Sequence, residues 1–416
     1  MTNPNTPHTS QAPTPEKPQI VLLLLTVFLA YLGQMTLNPI IAPLARKVGL
    51  AEWQVGVTIS VAAMMVVLTS QFWGRASQVR GHKRVLIVAL GLATLSMAGF
   101  ALVVALGMRG IVVGVTLFCL FLLLRGVGFG AAIAAVAPTA QSYVASVTHD
   151  EATRTKGMAG IGAVQGVAMI GGAVVGGALA GVHLLLPISV VPVLLAGALV
   201  LVAVKLRSSA STASMAAAVR VRATDTRIWP FLLAGFGMFT SLGFMQVLIG
   251  FVVQDRLQLS PETTGVVTGA SLLAAGLGMV FSQAVVVPRS GWRPVTLLRV
   301  GSLVALVGFV LLVPDLGMAV LLIAILLIGF GLGIAMPGYT AGPTLCVQPE
   351  EQGAVAGLIG ATNGLTFVLA PTASTVLYAV WQPLPLIVGA LLMALVALFV
   401  WLHPRFGRAV GSMPGA

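Results

Sequence analysis

Stretches of about twenty apolar residues recur along almost the whole of this sequence, and that recurrence restricts its fold more than any other feature. Each run is long enough to cross the hydrocarbon core of a bilayer as a helix. A helix is also the form in which a lipid-facing backbone satisfies its own polar groups. The composition agrees: 58 % of the 416 residues are hydrophobic and only 8 % are charged, against about a quarter in soluble domains. The expected fold is an all-α membrane protein of about twelve transmembrane helices.

The spans are read at 20–44, 54–73, 85–107, 111–143, 157–181 and 184–206, then at 229–253, 264–287, 295–314, 317–344, 353–378 and 384–402. The fourth and tenth are long for a bilayer and are expected to tilt or to extend beyond it. The net charge of +12 would suggest nucleic acid in a soluble protein. Here Arg75, Arg80, Lys83, Arg84, Lys205, Arg207, Arg289, Arg293 and Arg405 fall on one side, whereas Arg46, Lys47, Arg109 and Arg256 fall on the other. That is the positive-inside pattern, so topology explains the excess and both termini are expected in the cytoplasm. Residues 1–18 are polar and rich in Pro and Thr, with no pattern of a cleavable signal. Cys119 and Cys346 have no disulfide or metal spacing and read as small core residues.

Arg125 is the only Lys or Arg placed at the middle of a span, away from its ends. It lies in Phe121-Leu-Leu-Leu-Arg125-Gly-Val-Gly128-Phe-Gly130. A charge at that depth costs about 2.5–3.5 kcal/mol on insertion scales, so it must face a polar cavity or a partner. The bland alternative is a side chain snorkelling to an interface.

An internal repeat divides the chain. Gly126, Gly128 and Gly130 match Gly329, Gly331 and Gly333; Gln165-Gly166 and Gly172-Ala173 match Asn363-Gly364 and Ala370-Pro371; Gly81-His-Lys83 matches Gly291-Trp-Arg293. The order is preserved and the offset nearly constant, which points to two parallel six-helix repeats with a binding site between them near the bilayer midplane. The expected organisation is a tail at 1–19, halves at 20–206 and 228–403, a Ser/Ala/Thr-rich linker at 207–227 and a tail at 404–416.

The segment Gly74-Arg-Ala-Ser-Gln78-Val-Arg80-Gly81-His-Lys83-Arg84, read as the loop between the second and third spans, resembles the signature loop of the major facilitator superfamily. Arg125 with Gly128 and Gly130 resembles the fourth-helix motif of its twelve-helix drug:proton antiporter branch, and Gly172-Ala173-Val-Val-Gly176-Gly177 resembles the fifth-helix antiporter motif. The resemblance implies two six-helix halves that rock about a central substrate, with these loop and glycine residues as conformational elements. It also implies a multi-pass bacterial inner-membrane protein that works as a monomer and needs no cofactor. The departures are Gln78 and Ser146, where the family has acids, and Ala173, where it usually has proline. Glu350 and Glu351, at the start of the eleventh helix, are the expected substitute anions, because carboxylates are favoured at a helix N-terminus; a solvated loop pair is the alternative.

Every acidic residue falls in a tail or loop by this reading, and no histidine falls at mid-membrane, although proton-coupled carriers usually hold a titratable group there. If protons are coupled, Asp255 at the outer end of the seventh helix is the expected site. Gln34, Asn38, Gln246 and Asn363, with Tyr31 and Tyr339, are the expected substrate contacts beside Arg125. Three functions stay open. The first is efflux of an amphipathic drug-like compound or metabolite, with proton antiport as one coupling. The second is a carrier of an anionic metabolite or siderophore, for which Arg125 is the counter-ion. The third, from another class, is a membrane receptor or scaffold. No nucleophile–base or metal-ligand set suggests an enzyme.

Overall fold

The computed structural model describes residues 19–148, 151–207, 221–348 and 351–407. Glu350, the centre of the expected linker at 208–220 and most of both expected tails lie outside them.

Twelve helices among the described residues are long and apolar enough to cross a membrane. They are α1 (Ile20–Lys47), α2 (Glu52–Arg80), α3 (His82–Met108), α4 (Gly114–Val147), α6 (Leu185–Lys205), α7 (Trp229–Leu257), α8 (Pro261–Ser290), α9 (Pro294–Leu312), α10 (Met318–Thr344), α11 (Gln352–Val380) and α12 (Leu384–Leu402), with α5 (Glu151–Val182) between α4 and α6. Twelve crossings return the chain to the side on which it started. Residues 19 and 407 therefore share one face, here the terminal face; the other is the far face.

One expected loop is helical. Gly74–Arg80 continues α2 without a break, because Arg, Ala and Gln are good helix formers and no proline intervenes. Gly81 alone turns the chain, at φ 87°, and its repeat counterpart Gly291 does the same at φ 60°. Both values lie where a side chain would be strained. Cys119, expected in the core, is exposed on the outer surface of α4.

The two halves repeat in packing as well as in order. Gly126 and Gly130 lie against Thr58 and Ala62 of α2, and Gly128 lies against Ser96 of α3. In the second half Gly329 and Gly333 lie against Ala275 and Met279 of α8, and Gly331 lies against Gly301 and Ala305 of α9. The same alternation of neighbours thus recurs on equivalent helices, and the absent side chains let the helices approach closely.

α4 is not uniform. Leu122–Gly128 widens into a π-helical turn, a local insertion that occurs mostly at functional sites. α8 carries a second such turn at Ser282–Val286, just ahead of Pro288, which has no backbone N–H to donate. α1 breaks near the far face into a tighter turn at Asn38–Ile40, centred on Pro39.

Two antiparallel seams join the halves. In the first, α2 meets α11: Gly56 lies against Pro371 and Thr375, Ser60 Oγ accepts from Thr372 Oγ1 at 2.8 Å, and Val67 reaches Gly364. In the second, α5 meets α8: Gly181 lies against Val266, Gly177 against Gly269, and Ile170 against Gly276. Both seams are closed from the far face to mid-depth. Towards the terminal face they part, and Gly74, Gly162, Gly166, Gly353, Gly357 and Gly360 all face open space.

Candidate functional site

A cavity of about 370 Å³ lies between the halves, within the usual ~300–1,000 Å³ of small-molecule sites. Helices α1, α2 and α4 form one wall, and α7 and α11 the other. Arg125 lines it while only 6 % exposed, which excludes snorkelling to an interface. The π-helical turn carries Arg125, and the neighbouring glycines bring that turn hard against α2 and α3.

The guanidinium is poorly satisfied. Its Nε has no hydrogen-bond partner and no carboxylate is paired with it among the described residues. The ring of Phe129 lies 4.9 Å from the guanidinium carbon. A cation over an aromatic face gains about 0.5–2 kcal/mol, less than the ~2.5–3.5 kcal/mol that the buried charge costs. A net electrostatic demand therefore remains, and it points into the cavity.

Tyr31, Gln34, Asn38 and Gln246 also line the cavity. Asn38 Nδ2 is turned to Met35 Sδ at 3.3 Å, whereas no hydrogen bond joins Gln34 or Gln246 to another described residue. The remaining surface is apolar, with Met35, Ile59, Val66, Phe129, Val247 and Phe367 the main contributors. Tyr339 and Asn363 sit elsewhere. Gly235 leaves room for the Tyr339 ring against α7, and the fully buried hydroxyl donates to Asn363 Oδ1 at 2.9 Å. They tie α10 to α11 behind the cavity wall.

The expected conformational residues separate by place. Gly172 and Gly176 let α5 close on Met35 and Thr36 of α1 within one half. Ala173 and Gly177 face Gly269 across the halves. α5 itself runs unbroken from Glu151 to Val182. Gln78, Arg80 and Arg84 are exposed at the terminal end of α2 and the start of α3, and neither they nor Lys83 form an ion pair among the described residues. Glu351 is engaged within its own half: its carboxylate takes two bonds from Arg227, at 2.9 and 3.0 Å, and Arg227 also grips Asp225. Hydrogen bonds from Arg227 hold both carboxyls below the usual carboxylate range. Among the described residues, the Ser146 hydroxyl bonds Tyr143 O of its own helix and no other. No hydrogen bond or ion pair from the Gln78, Ser146 or Glu351 side chain crosses to the other half in this conformation among the described residues.

The far face is clasped shut. Arg46 of α1 holds both carboxylate oxygens of Asp255 of α7 and Glu52 of α2 at 2.8 Å. Tyr378 and Gln382 add bonds to Asp255 at 2.5 and 3.1 Å, and Lys47 pairs with Glu262 at 2.8 Å. Sequence reasoning assigned Arg46 only to topology and missed Glu52, Tyr378 and Gln382; the basic end of α1, with acids opening α2 and closing α7, was the available signal. On the terminal side a hollow of about 420 Å³ runs along α2 and includes Gln71, Arg75 and Arg80.

The sequence model of the Major Facilitator Superfamily matches residues 23–371. The chain belongs to the Major Facilitator Superfamily. It is a membrane transporter with that superfamily's fold, and its members are not enzymes. No curated protein matches it in sequence. Among solved structures, a bacterial homologue of the human lysosomal transporter Spinster, inward-facing and occupied, is similar at 13 % identity and TM-score 0.74, over 94 % of this chain and 98 % of that one. The nucleoside transporter NupG is similar at 12 % and 0.73, over 93 % and 99 %. The human organic anion transporter MFSD10 (TETRAN) is similar at 17 % and 0.63, over 93 % and 100 %. At such identities these likenesses extend to the fold alone.

Proposed function

We propose that this chain is a secondary carrier for an amphipathic organic anion, working by alternating access between its two halves. One observation carries the reading: a buried arginine without a carboxylate partner lines the cavity between the halves. The apolar lining suits an apolar body, Gln34 and Gln246 suit its polar substituents, and Arg125 supplies the counter-ion. Arg75 and Arg80, in the hollow along α2, would raise the local concentration of anions at the open side. The anion exporter or carrier is thus preferred over efflux of drug-like compounds by proton antiport.

The positive-inside bias supports a cytoplasmic terminal face, and with it an inward-open conformation. A monomer suffices, because one chain encloses the site.

Proton antiport keeps one specific support. Asp255, the expected coupling site, lies at the far-face clasp, where its carboxylate holds Arg46 across the two halves. Uptake into proteoliposomes with and without an imposed pH gradient separates the readings. Arg125-dependent anion transport without a gradient supports the anion carrier; transport that requires the gradient and fails in Asp255→Asn supports the antiporter.

A further inference from the structure

Granted that reading of the cavity, we propose that the carrier is an obligate exchanger: it reorients readily only with an anion bound, and so trades one organic anion for another across the membrane. This rests on the anion-carrier function proposed above.

To alternate, the halves must shut the terminal side, and the cavity passes through a state closed at both faces. In that state Arg125 loses its access to bulk water. The acids whose side chains are described are committed elsewhere: Glu52 and Asp255 to Arg46, Glu262 to Lys47, Asp225 and Glu351 to Arg227, while Asp315 accepts from Gly317 N in a loop. None lines the cavity. Gln34 and Gln246 offer carbonyl oxygens, which solvate a guanidinium without neutralising it, and the Phe129 face does no more. The empty carrier must therefore occlude a cation that no carboxylate neutralises among the described residues, a step opposed by loss of the water that the open cavity still supplies to it.

A bound monoanion changes the balance. Its carboxylate, sulfonate or phosphate ester group pairs with Arg125, the occluded cavity becomes neutral, and the apolar body fills the apolar wall. Loaded carrier crosses; empty carrier stalls. Because the loaded site carries no net charge, exchange moves no charge through the membrane field, whereas the return of an empty carrier moves the unpaired positive charge. The two modes are thus separable by their response to voltage.

The test uses the full-length protein in proteoliposomes and radiolabelled 2-naphthalenesulfonate, an apolar monoanion that keeps its charge at all working pH values. Vesicles contain either unlabelled 2-naphthalenesulfonate or potassium chloride without any organic anion, and valinomycin with potassium gradients sets the potential. The expected result is uptake at least about tenfold faster into preloaded vesicles, the scale of one uncompensated charge partly relieved by solvation. The exchange rate is expected to be indifferent to potential, and the slow net uptake to respond to it. Excess neutral 2-naphthalenesulfonamide should not compete. Arg125→Lys should retain exchange, and Arg125→Gln should lose uptake while giving an unchanged monodisperse elution profile.

Equal rates into loaded and empty vesicles, with saturable and Arg125-dependent uptake, would overturn obligate exchange and leave the anion carrier standing. No saturable uptake in either arm, or full uptake by Arg125→Gln, would overturn the anion carrier itself. An exchange rate that follows the potential would overturn the neutral loaded state.

Discussion

Arg46 of α1 and Asp255 of α7 close the far face by a two-oxygen ion pair that spans the two halves of the molecule. Tyr378 of α11 donates to the same carboxylate at 2.5 Å, so three helices converge on one acid. The pair is only partly exposed, 24 % and 20 %, and it lies beyond the seams that seal the cavity on that side. It holds the halves together on one face while they stand apart on the other.

Removing the clasp should therefore favour opening at the far face. Asp255→Asn loses the charge but keeps the shape, and truncating one side of such a pair costs about 1–3 kcal/mol of closure. Thr375, buried beneath the clasp against Gly56, reports on it. Thr375→Cys in a background lacking Cys119 and Cys346 is expected to react with a maleimide several-fold faster when Asp255→Asn is also present. An unchanged rate would assign closure to the seams alone.

The seams also fix what the opposite conformation looks like. Gly56 with Thr375 and Val67 with Gly364 set an antiparallel register between α2 and α11. Continued towards the terminal face, it brings Gly74 opposite Gly357 and Gln78 opposite Gly353. In the other seam, Gly177 with Gly269 and Ile170 with Gly276 continue to Gly162 opposite Ala284. Paired cysteines at 74 and 357, or at 162 and 284, should resist cross-linking in the empty protein and cross-link on adding 2-naphthalenesulfonate, because a disulfide needs Cα atoms within about 7 Å. Cross-linking of neighbouring registers instead would show that the helices slide as they close.

A functional charge held without a partner should weaken the fold that holds it. Arg125→Leu removes the buried cation at similar length and is expected to stabilise the empty protein by about 1–3 kcal/mol, seen as a Tm raised by a few degrees in detergent. Loss of stability would mean that the guanidinium has a structural partner.

The cluster of Arg227 with Asp225 and Glu351 makes a prediction of opposite character. Both carboxyls are held below their ordinary range by Arg227. Groups depressed in this way contribute stability above their unfolded pKa values and lose it as pH falls through the folded ones. The Tm difference between wild type and Arg227→Ala is therefore expected to be constant from about pH 7 to pH 5, and to shrink only below the ordinary carboxylate range of about 4. A difference already shrinking at pH 6 would contradict this assignment.

The chain's architecture was legible because hydropathy and glycine spacing are direct physical consequences of a bilayer. Twelve apolar runs became twelve spans, and the glycine offsets of the fourth and tenth spans became identical packing against equivalent helices. The π-helical turn at Leu122–Gly128 was not legible, since one inserted residue leaves the composition of the run unchanged. The last turns of α2 were misread as loop because charge, not propensity, set the expected boundary. At the site, Arg125 stood out by cost alone, and Tyr31, Gln34, Asn38 and Gln246 by polarity within spans. The same rule gathered in Tyr339 and Asn363, which satisfy each other; polarity marks a need for a partner, and only geometry tells whether another helix meets it. Asp255 was singled out as a lone outer acid, but its partner Arg46 is 209 residues away, beyond the reach of local pattern.

Anion binding by Arg125 is the property on which the proposed transport depends. Calorimetric titration of purified protein with 2-naphthalenesulfonate measures this directly. Saturable binding is expected, weaker in Arg125→Lys and at least about thirtyfold weaker in Arg125→Gln, as for loss of one partner of a desolvated charge pair. An affinity unchanged by Arg125→Gln, or matched by the neutral sulfonamide, would contradict it.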